Sequence, residues 1–534
     1  MEPAMRPVLC LIAAALITAC SSAPVAVDSP PGASAKLDLS PVTANHKGSA
    51  LPANWHKDAV FMQIYVRGYK DSDGDGVGDF KGLTGQLDYL EWLGVKGIWL
   101  MPMMASQDRD HGYAVTDYRS VEPDYGSMED FKTFLAEAHK RGIGVIIDYV
   151  MNHSAKQNPL FIDSDLNQAG KRDWYVWTNE MLNWPNWSSE NAWRPGSNGS
   201  YYAVFWDQMP DFNLRNGDVL EYHKSNMRYW LNLGVDGFRF DAVGTLVENG
   251  RNAMFNQREN ADIMLQMREV LAEYDNRYLV CEMPDNAEFA GSPRFCGSAF
   301  HFPMRAAILG SARFGHVKGN LASGYDSAQT QNMGMFLANH DGFAGDRVMV
   351  QMGGNEQRYR TAAATYLLSA GVPFIYYGEE IGMGHSVGHG VQYKDHALRG
   401  PMSWAPDKAT AGFTNGKPFR ALAVNVDSHN VESQQWQDNS LLQSYRALIA
   451  LRNSEAALRH GSQRSVPTGS DKIYAFTRTA GSDELLVAIN YSDQAQPLAT
   501  SVLAAGQWQT LTDGPAAKAT VTLPPYSYHV WKRQ

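Results

Sequence analysis

The sequence predicts an α/β protein built on a parallel (β/α)8 barrel of the TIM type. A small domain is inserted after the third strand, and an antiparallel β-sandwich closes the chain. Three observations predict this. From Ala59 to Tyr376 short apolar runs alternate with stretches of helical periodicity, as parallel strands joined by crossover helices do. Between His153 and Asn213 the period is lost, and Trp174, Trp177, Trp184, Trp187, Trp193 and Trp206 crowd among Asn, Ser and Gly. Beyond Arg452 the pattern becomes short strands with turn signals between them, the mark of antiparallel sheet.

Taken in order, barrel strands are expected over 60–65, 97–101, 144–148, 235–242, 278–282 and 372–376, with weaker units around 299–302 and 335–337. Leu83, Leu87, Leu90 and Leu93 carry the spacing of a helix over 80–93. Further helices are expected over 128–140, with Ser127 as N-cap, and over 219–233, 261–274, 358–370 and 441–452. Sandwich strands are expected over 472–478, 484–491, 508–511, 520–523 and 528–531. The domain boundaries follow: barrel 51–152 and 214–460, insertion 153–213, sandwich 461–534. Exposed Trp and Tyr in the insertion would suit sugar rings, although packing inside a small irregular domain explains most of them equally well.

The first twenty residues read as a targeting segment. Arg6 makes a basic start, and the apolar run from Val8 to Ala19 is too short to span a bilayer comfortably. Ile17-Thr18-Ala19-Cys20 resembles the bacterial lipoprotein cleavage box. That implies export and a lipidated Cys20, and Ser21 resembles sorting to the outer membrane of a Gram-negative cell. An ordinary secretory signal with an incidental cysteine is the alternative. Residues 21–50, rich in Ser, Ala and Pro, read as a flexible tether. No later run is long and apolar enough for a transmembrane helix. A net charge of -10 without a basic block argues against a nucleic-acid partner. With Cys10 removed and Cys20 lipidated, Cys281 and Cys296 remain. They could pair in an oxidising compartment or stay as buried thiols, and their spacing does not choose.

The chemistry centres on Val235 to Ala242, VDGFRFDA. Alternation puts Val235, Gly237, Arg239 and Asp241 on one face and Phe238 and Phe240 on the other. A buried arginine beside a carboxylate needs a polar, organised cavity. Barrel active sites gather at the C-terminal ends of strands, and polar clusters follow four of them. These are Asp148 to His153, Arg239-Phe240-Asp241, Glu282, and Asn339-His340-Asp341.

With these segments in this order, residues 55–534 resemble the α-amylase family of glycoside hydrolases. The resemblance implies Asp241 as nucleophile, Glu282 as acid/base and Asp341 as transition-state stabiliser. It implies substrate contacts from Tyr113, His153, Arg239 and His340, and a grip on the non-reducing sugar from Asp110 and Arg399. Retaining glycoside cleavage needs two carboxyl groups about 5–5.5 Å apart. Asp241 beside a permanent cation should stay ionised, while Glu282 among carboxylates should hold its proton longer.

A second motif runs from Asp71 to Asp79, DSDGDGVGD. Asp71, Asp73, Asp75, the carbonyl of Val77 and Asp79 match an EF-hand-like calcium loop, with Gly76 at its sixth position. Gly82 stands where such a loop has its bidentate Glu. The loop resembles the structural calcium site of oligo-1,6-glucosidase-like family members. Val243-Gly244-Thr245 stands where many α-amylases carry Lys-His, which weighs against a second, central calcium although Asn152 is present. Met209-Pro210-Asp211-Phe212-Asn213 resembles the form found in members between oligo-1,6-glucosidases and neopullulanases. The reading is a hydrolase of α-1,4 bonds in starch and maltooligosaccharides. Its α-1,4 preference rests on Ala242, where 1,6-acting relatives tend to carry Val. The rivals are an α-glucosidase, a transglycosylase or sucrose- or trehalose-converting enzyme of the same family, and a surface glycan-binding lipoprotein.

Overall fold

The structure is a computed structural model that describes residues 37–504 and 506–534. The leader and Cys20, the predicted lipid-bearing residue, lie outside the described residues. Seven strands make one parallel sheet in the order Tyr278–Cys281, Gly237–Phe240, Gly144–Tyr149, Gly97–Leu100, Phe61–Ile64, Val372–Tyr376, Gly334–Phe336. Residues 299–300 join its two edges. Ala299 bridges Cys281 and Phe300 bridges Gly334, both in parallel. The ring thus closes at eight positions, and the sixth is only a pair of bridges.

Alternation along these strands sorts the side chains. Phe61, Trp99, Ile146, Tyr278, Val280, Phe300, Phe336, Val372 and Phe374 fill the interior. Ile98, Ile147, Phe238, Phe240 and Leu279 belong to the large outer core. Gly237 is required where it stands. Its φ is +150°, and a Cβ there would lie 1.8 Å from the Tyr278 carbonyl oxygen, so the fourth and fifth strands could not pair around any larger residue.

The helices fall near their expected places, with one exception. The stretch 80–93 is two helices, Phe80–Thr84 and Leu87–Leu93, broken at Gly85-Gln86. Helix Met128–Lys140 begins with a capping box between Ser127 and Asp130. The insertion holds a three-stranded sheet of Trp177–Thr178, Gly199–Tyr202 and Trp193–Gly196. Bridges His153–Asp211 and Tyr175–Phe212 close its neck. Trp174 and Trp193 are buried in it, whereas Trp187 and Trp206 are 55% and 40% exposed.

In the C-terminal domain a five-stranded sheet, Ser462–Val466, Ile473–Ala480, Asp483–Asn490, Ser527–Arg533, Trp508–Thr510, accompanies a two-stranded one, Gln496–Ala499 with Thr520–Leu523. Both supply one core that includes Leu486, Leu498, Val521 and Trp531. The strand Ser462–Val466 escapes the sequence reading because polar residues dominate it, and Gln496–Ala499 because it is short and holds Pro497. So does the long, mostly irregular stretch 377–430, which carries Arg399 and Arg420 to the barrel mouth.

The expected tether is too long at its C-terminal end. Residues 37–50 have no regular structure, yet they are docked on the barrel. Arg119 donates to the Ser40 carbonyl at 2.9 Å, Asn232 to the Thr43 carbonyl at 2.9 Å, and Arg277 to the Gly48 carbonyl at 2.8 Å. A segment without an apolar pattern is held by its backbone acceptors, which composition does not reveal. Cys281 and Cys296, left open by spacing, are joined in a disulfide.

Candidate active site

The C-terminal ends of the barrel strands open into a cavity of about 540 Å³, within the usual small-molecule range of about 300–1,000 Å³. Its polar lining includes Asp241, Glu282, Asp341, Tyr113, His153 and Arg399, and Trp187, Phe205, Trp206, Phe255 and Phe343 give it aromatic walls.

Arg239 organises the floor. The fourth strand carries it level with Asp148 of the third strand and Val280 of the fifth. Its Nη1 donates to Asp241 Oδ1 at 2.6 Å and to Asp148 Oδ1 at 2.8 Å, and its Nη2 lies 2.7 Å from Glu282 Oε2. The Trp99 ring lies beside the guanidinium, 5.1 Å away. One cation cannot neutralise three buried carboxylates, so the cluster must retain protons. Burial pushes Glu282 up to about 7, the Asp241 carboxylate pushes the same way, and Arg239 opposes both. Burial, then the charge of Glu282, raises Asp341 as well. Glu282 Oε1 is buried without a hydrogen-bond partner among the described residues, on a side chain that lines the cavity.

Behind this floor a chain of hydrogen bonds fixes the rings. Tyr113 OH donates to Asp148 Oδ2 at 3.1 Å and lies 2.7 Å from His340 Nε2. His340 Nδ1 lies 2.7 Å from Gln63 Nε2. Burial and the nearby Arg399 and Arg239 keep His340 well below the usual histidine range. A neutral ring with its proton on Nε2 satisfies both contacts. Both ring nitrogens are therefore engaged, and His340 positions Tyr113 rather than lining the cavity. His153 is different. Burial lowers it to about 3, and its Nε2 has no partner among the described residues, on a ring that lines the cavity.

Asp110, expected to grip sugar, stands behind Arg399. It accepts from Arg399 at 2.9 Å, Arg420 at 2.8 Å and the Tyr65 hydroxyl at 3.0 Å, with His396 at 3.2 Å. Despite burial, His396 and the two arginines hold its carboxyl well below the usual range. The cavity meets Arg399, whose Nη2 lies 3.4 Å from Asp341 Oδ1. Asp148 stands in the sequence only as the start of a polar cluster with no assigned role, and Gln63, Trp99 and Arg420 carry no motif that marks them. Asp148 could have been found, since an acid closing an apolar strand needs a buried cation.

The Asp71 to Asp79 loop lies apart from this floor. Carboxylate oxygens of Asp71, Asp73 and Asp79 lie within 4.8 Å of one another; the Asp75 carboxylate is not part of that group. None of the four aspartates forms an ion pair among the described residues. Backbone amides take that place. Asp71 Oδ1 accepts from Asp73 and Gly74, and its Oδ2 from Gly76 at 2.8 Å and from the Thr414 hydroxyl. Asp79 caps helix Phe80–Thr84. Hard oxygen donors gathered without a counter-charge fit a calcium ion. At the position of a central calcium, Asn152 donates to Asp211 Oδ2 at 2.9 Å and accepts from the Thr245 hydroxyl at 3.1 Å. Its amide is thus engaged at both ends.

Paired carboxyls around one guanidinium, at the mouth of a parallel barrel and walled by aromatic rings, define an enzyme that acts on glycosidic bonds. Comparison with known proteins makes the class specific. Residues 63–461 match the α-amylase catalytic domain, and residues 464–530 match the maltogenic amylase C-terminal domain. The protein belongs to the α-amylase family of glycoside hydrolases and glycosyl-transferring enzymes. It is 33% identical to a trehalose synthase/amylase of Mycolicibacterium smegmatis over 83% of this chain and 85% of that one. It is 31% identical to an oligo-1,6-glucosidase of Parageobacillus thermoglucosidasius over 82% and 91% of the two chains. The crystal structure of an α-amylase from H. orenii superposes with a TM-score of 0.77 at 32% identity, covering 90% of this chain and all of that one.

Proposed function

We propose that the protein is a retaining α-glucan hydrolase that cleaves α-1,4 bonds in starch and maltooligosaccharides. One observation carries the reading: a single guanidinium holds Asp241 and Glu282 side by side, and Glu282, which lines the cavity, has one oxygen without a partner among the described residues. Retaining chemistry needs that close pair. Asp241 attacks the anomeric carbon as the bond to the leaving oxygen breaks, and Glu282 gives that oxygen its proton. The Glu282 carboxylate then takes a proton from water, which attacks the same carbon and releases Asp241. Asp341, Arg399 and His153 are placed to hydrogen-bond sugar hydroxyls as positive charge develops.

In this reading Asp71, Asp73 and Asp79 hold a calcium ion, with Asp75 and the Val77 carbonyl as further donors of the same loop. The ion contributes stability and no chemistry. A lipid on Cys20 anchors the exported chain, and the Cys281–Cys296 disulfide supports an oxidising compartment. Labelling with a radioactive fatty acid should depend on Cys20, and lipid retained by Cys20→Ala would refute the anchor.

The test of specificity is a timed product profile on maltotriose, isomaltotriose, soluble starch and sucrose, with and without excess sugar acceptor. Glucose and shorter maltooligosaccharides should dominate. The aromatic wall of Trp187, Phe205 and Phe255 and the trehalose synthase/amylase relative favour one second reading, transfer to a sugar acceptor. Products longer than the substrate, or isomerised disaccharides, as the main outcome would establish it instead.

A further inference from the structure

The barrel ring is weakest at its sixth position, which has a single bridge on either side. The fourth and fifth strands pair over four register positions, Gly237 to Phe240 with Tyr278 to Cys281. The sixth position has only two bridges, Cys281 to Ala299 and Phe300 to Gly334. Two backbone bonds hold Cys281 to that position, from its N–H to the Ser298 carbonyl at 3.0 Å and from the Phe300 N–H to its own carbonyl at 3.0 Å. Glu282 is the next residue. One of the two thinnest seams thus leads directly to the acid of the proposed mechanism.

The disulfide lies on this seam. It joins Cys281, the last residue of the fifth strand, to Cys296, three residues before Ala299. The segment it closes, 282–295, begins with Glu282, Met283, Pro284 and Asp285, all of which line the cavity. That segment has little regular structure beyond the short turns Pro284–Asn286 and Ala287–Ala290. Both cysteines are buried, so the bond is internal to the seam.

We infer that Cys281 and Cys296 are positioning residues for proton transfer: their disulfide substitutes for the missing sixth-strand ladder and holds the Glu282 carboxyl against Asp241. The inference rests on Glu282 being the acid. Two-electron reduction by a dithiol such as dithiothreitol gives two thiols and a cyclic disulfide of the reagent. The strap is then cut without removing any group from the cavity. Asp241, just past the well-paired fourth strand, keeps its place; Glu282 keeps its backbone bonds to Phe240 and Val243 on that side and gains freedom on the side of the sixth position.

The experiment compares maltotriose, whose leaving oxygen needs a proton, with α-glucosyl fluoride, whose fluoride leaves without one. Three proteins are measured beside the wild type: the reduced wild type, the Cys281→Ala/Cys296→Ala variant and Glu282→Gln. A misplaced catalytic group costs about ten- to a hundredfold. Loss of that size in kcat/KM is expected on maltotriose for the reduced and double-alanine proteins, with little change on the fluoride and a shifted alkaline limb of the pH profile. Equal losses on both substrates, or no loss, would overturn the inference. So would unfolding of both forms by circular dichroism, since the bond would then hold the fold and not the acid. A Glu282→Gln protein that loses equally on both substrates would instead refute the acid assignment itself.

Discussion

Two groups of carboxylates in this molecule have the same composition in outline and opposite surroundings. Asp148, Asp241 and Glu282 are buried around the Arg239 guanidinium. Asp71, Asp73 and Asp79 gather on a loop where backbone amides and a hydroxyl are the partners. In the first group burial dominates and raises Glu282. In the second, hydrogen bonds outweigh burial and lower Asp71. An acid cluster that keeps protons is equipped for proton transfer. A carboxylate held ionised by hydrogen bonds, as Asp71 is, is equipped for a cation.

The sharpest way to break the comparison is to neutralise one acid in each group. Asp241→Asn removes the nucleophile with almost no change in shape, and turnover should fall roughly 10⁴-fold or more in a protein whose circular dichroism is unchanged. Asp73→Asn should leave kcat intact and lower the melting temperature in calcium. Substantial activity in Asp241→Asn, in a sample free of deamidation, would remove the nucleophile assignment.

The pH dependence separates the groups next. Glu282 acts as acid only while protonated, so kcat/KM should fall as pH rises through about 7. Its contribution to folding has the same sign. With a native pKa above the unfolded value, that stability is full below about 4.5 and is lost as pH rises through the folded value. Asp71, with its pKa lowered, contributes in the other direction: present above its unfolded value and lost as pH falls through the lower one. Glu282→Gln should remove the alkaline limb, and its persistence would assign that limb elsewhere.

Metal removal is smaller in effect. An ion that binds only the native state adds about 2.7 kcal/mol at a hundred times its Kd. Complete chelation should therefore lower the melting temperature while kcat/KM, measured well below it, stays put. An unchanged melting temperature would sink the calcium loop. The smallest effect is expected at Ala242, which sits at a φ of 45° beside the nucleophile. A β-branched side chain is strained in that region. Ala242→Val should shift the ratio of specificity constants toward isomaltotriose by only about 1–3 kcal/mol and also cost stability. No shift would remove Ala242 as the cause of linkage preference.

The residues that line the cavity were legible where polar side chains interrupt an apolar strand at its end. Asp241, Glu282 and Asp341 are of this kind. Their supports were not. Gln63 meets His340 and Arg420 meets Asp110 across 277 and 310 residues, and periodicity holds no information about such distant partners. The resemblance names His340 and Asp110 as sugar contacts, and the structure adds protein partners that the sequence does not reveal. The fold was legible to the extent that strands are apolar. Residues 299–300 barely form one, and the polar edge strand Ser462–Val466 hides its period.

The central claim is that Asp241 and Glu282 act as the close carboxyl pair of a retaining enzyme. The most direct test is proton NMR of the first product released from maltotriose, read before mutarotation. The α-anomer should appear first and convert slowly to the β-anomer. The β-anomer appearing first would mean inversion by an activated water, and would contradict the account.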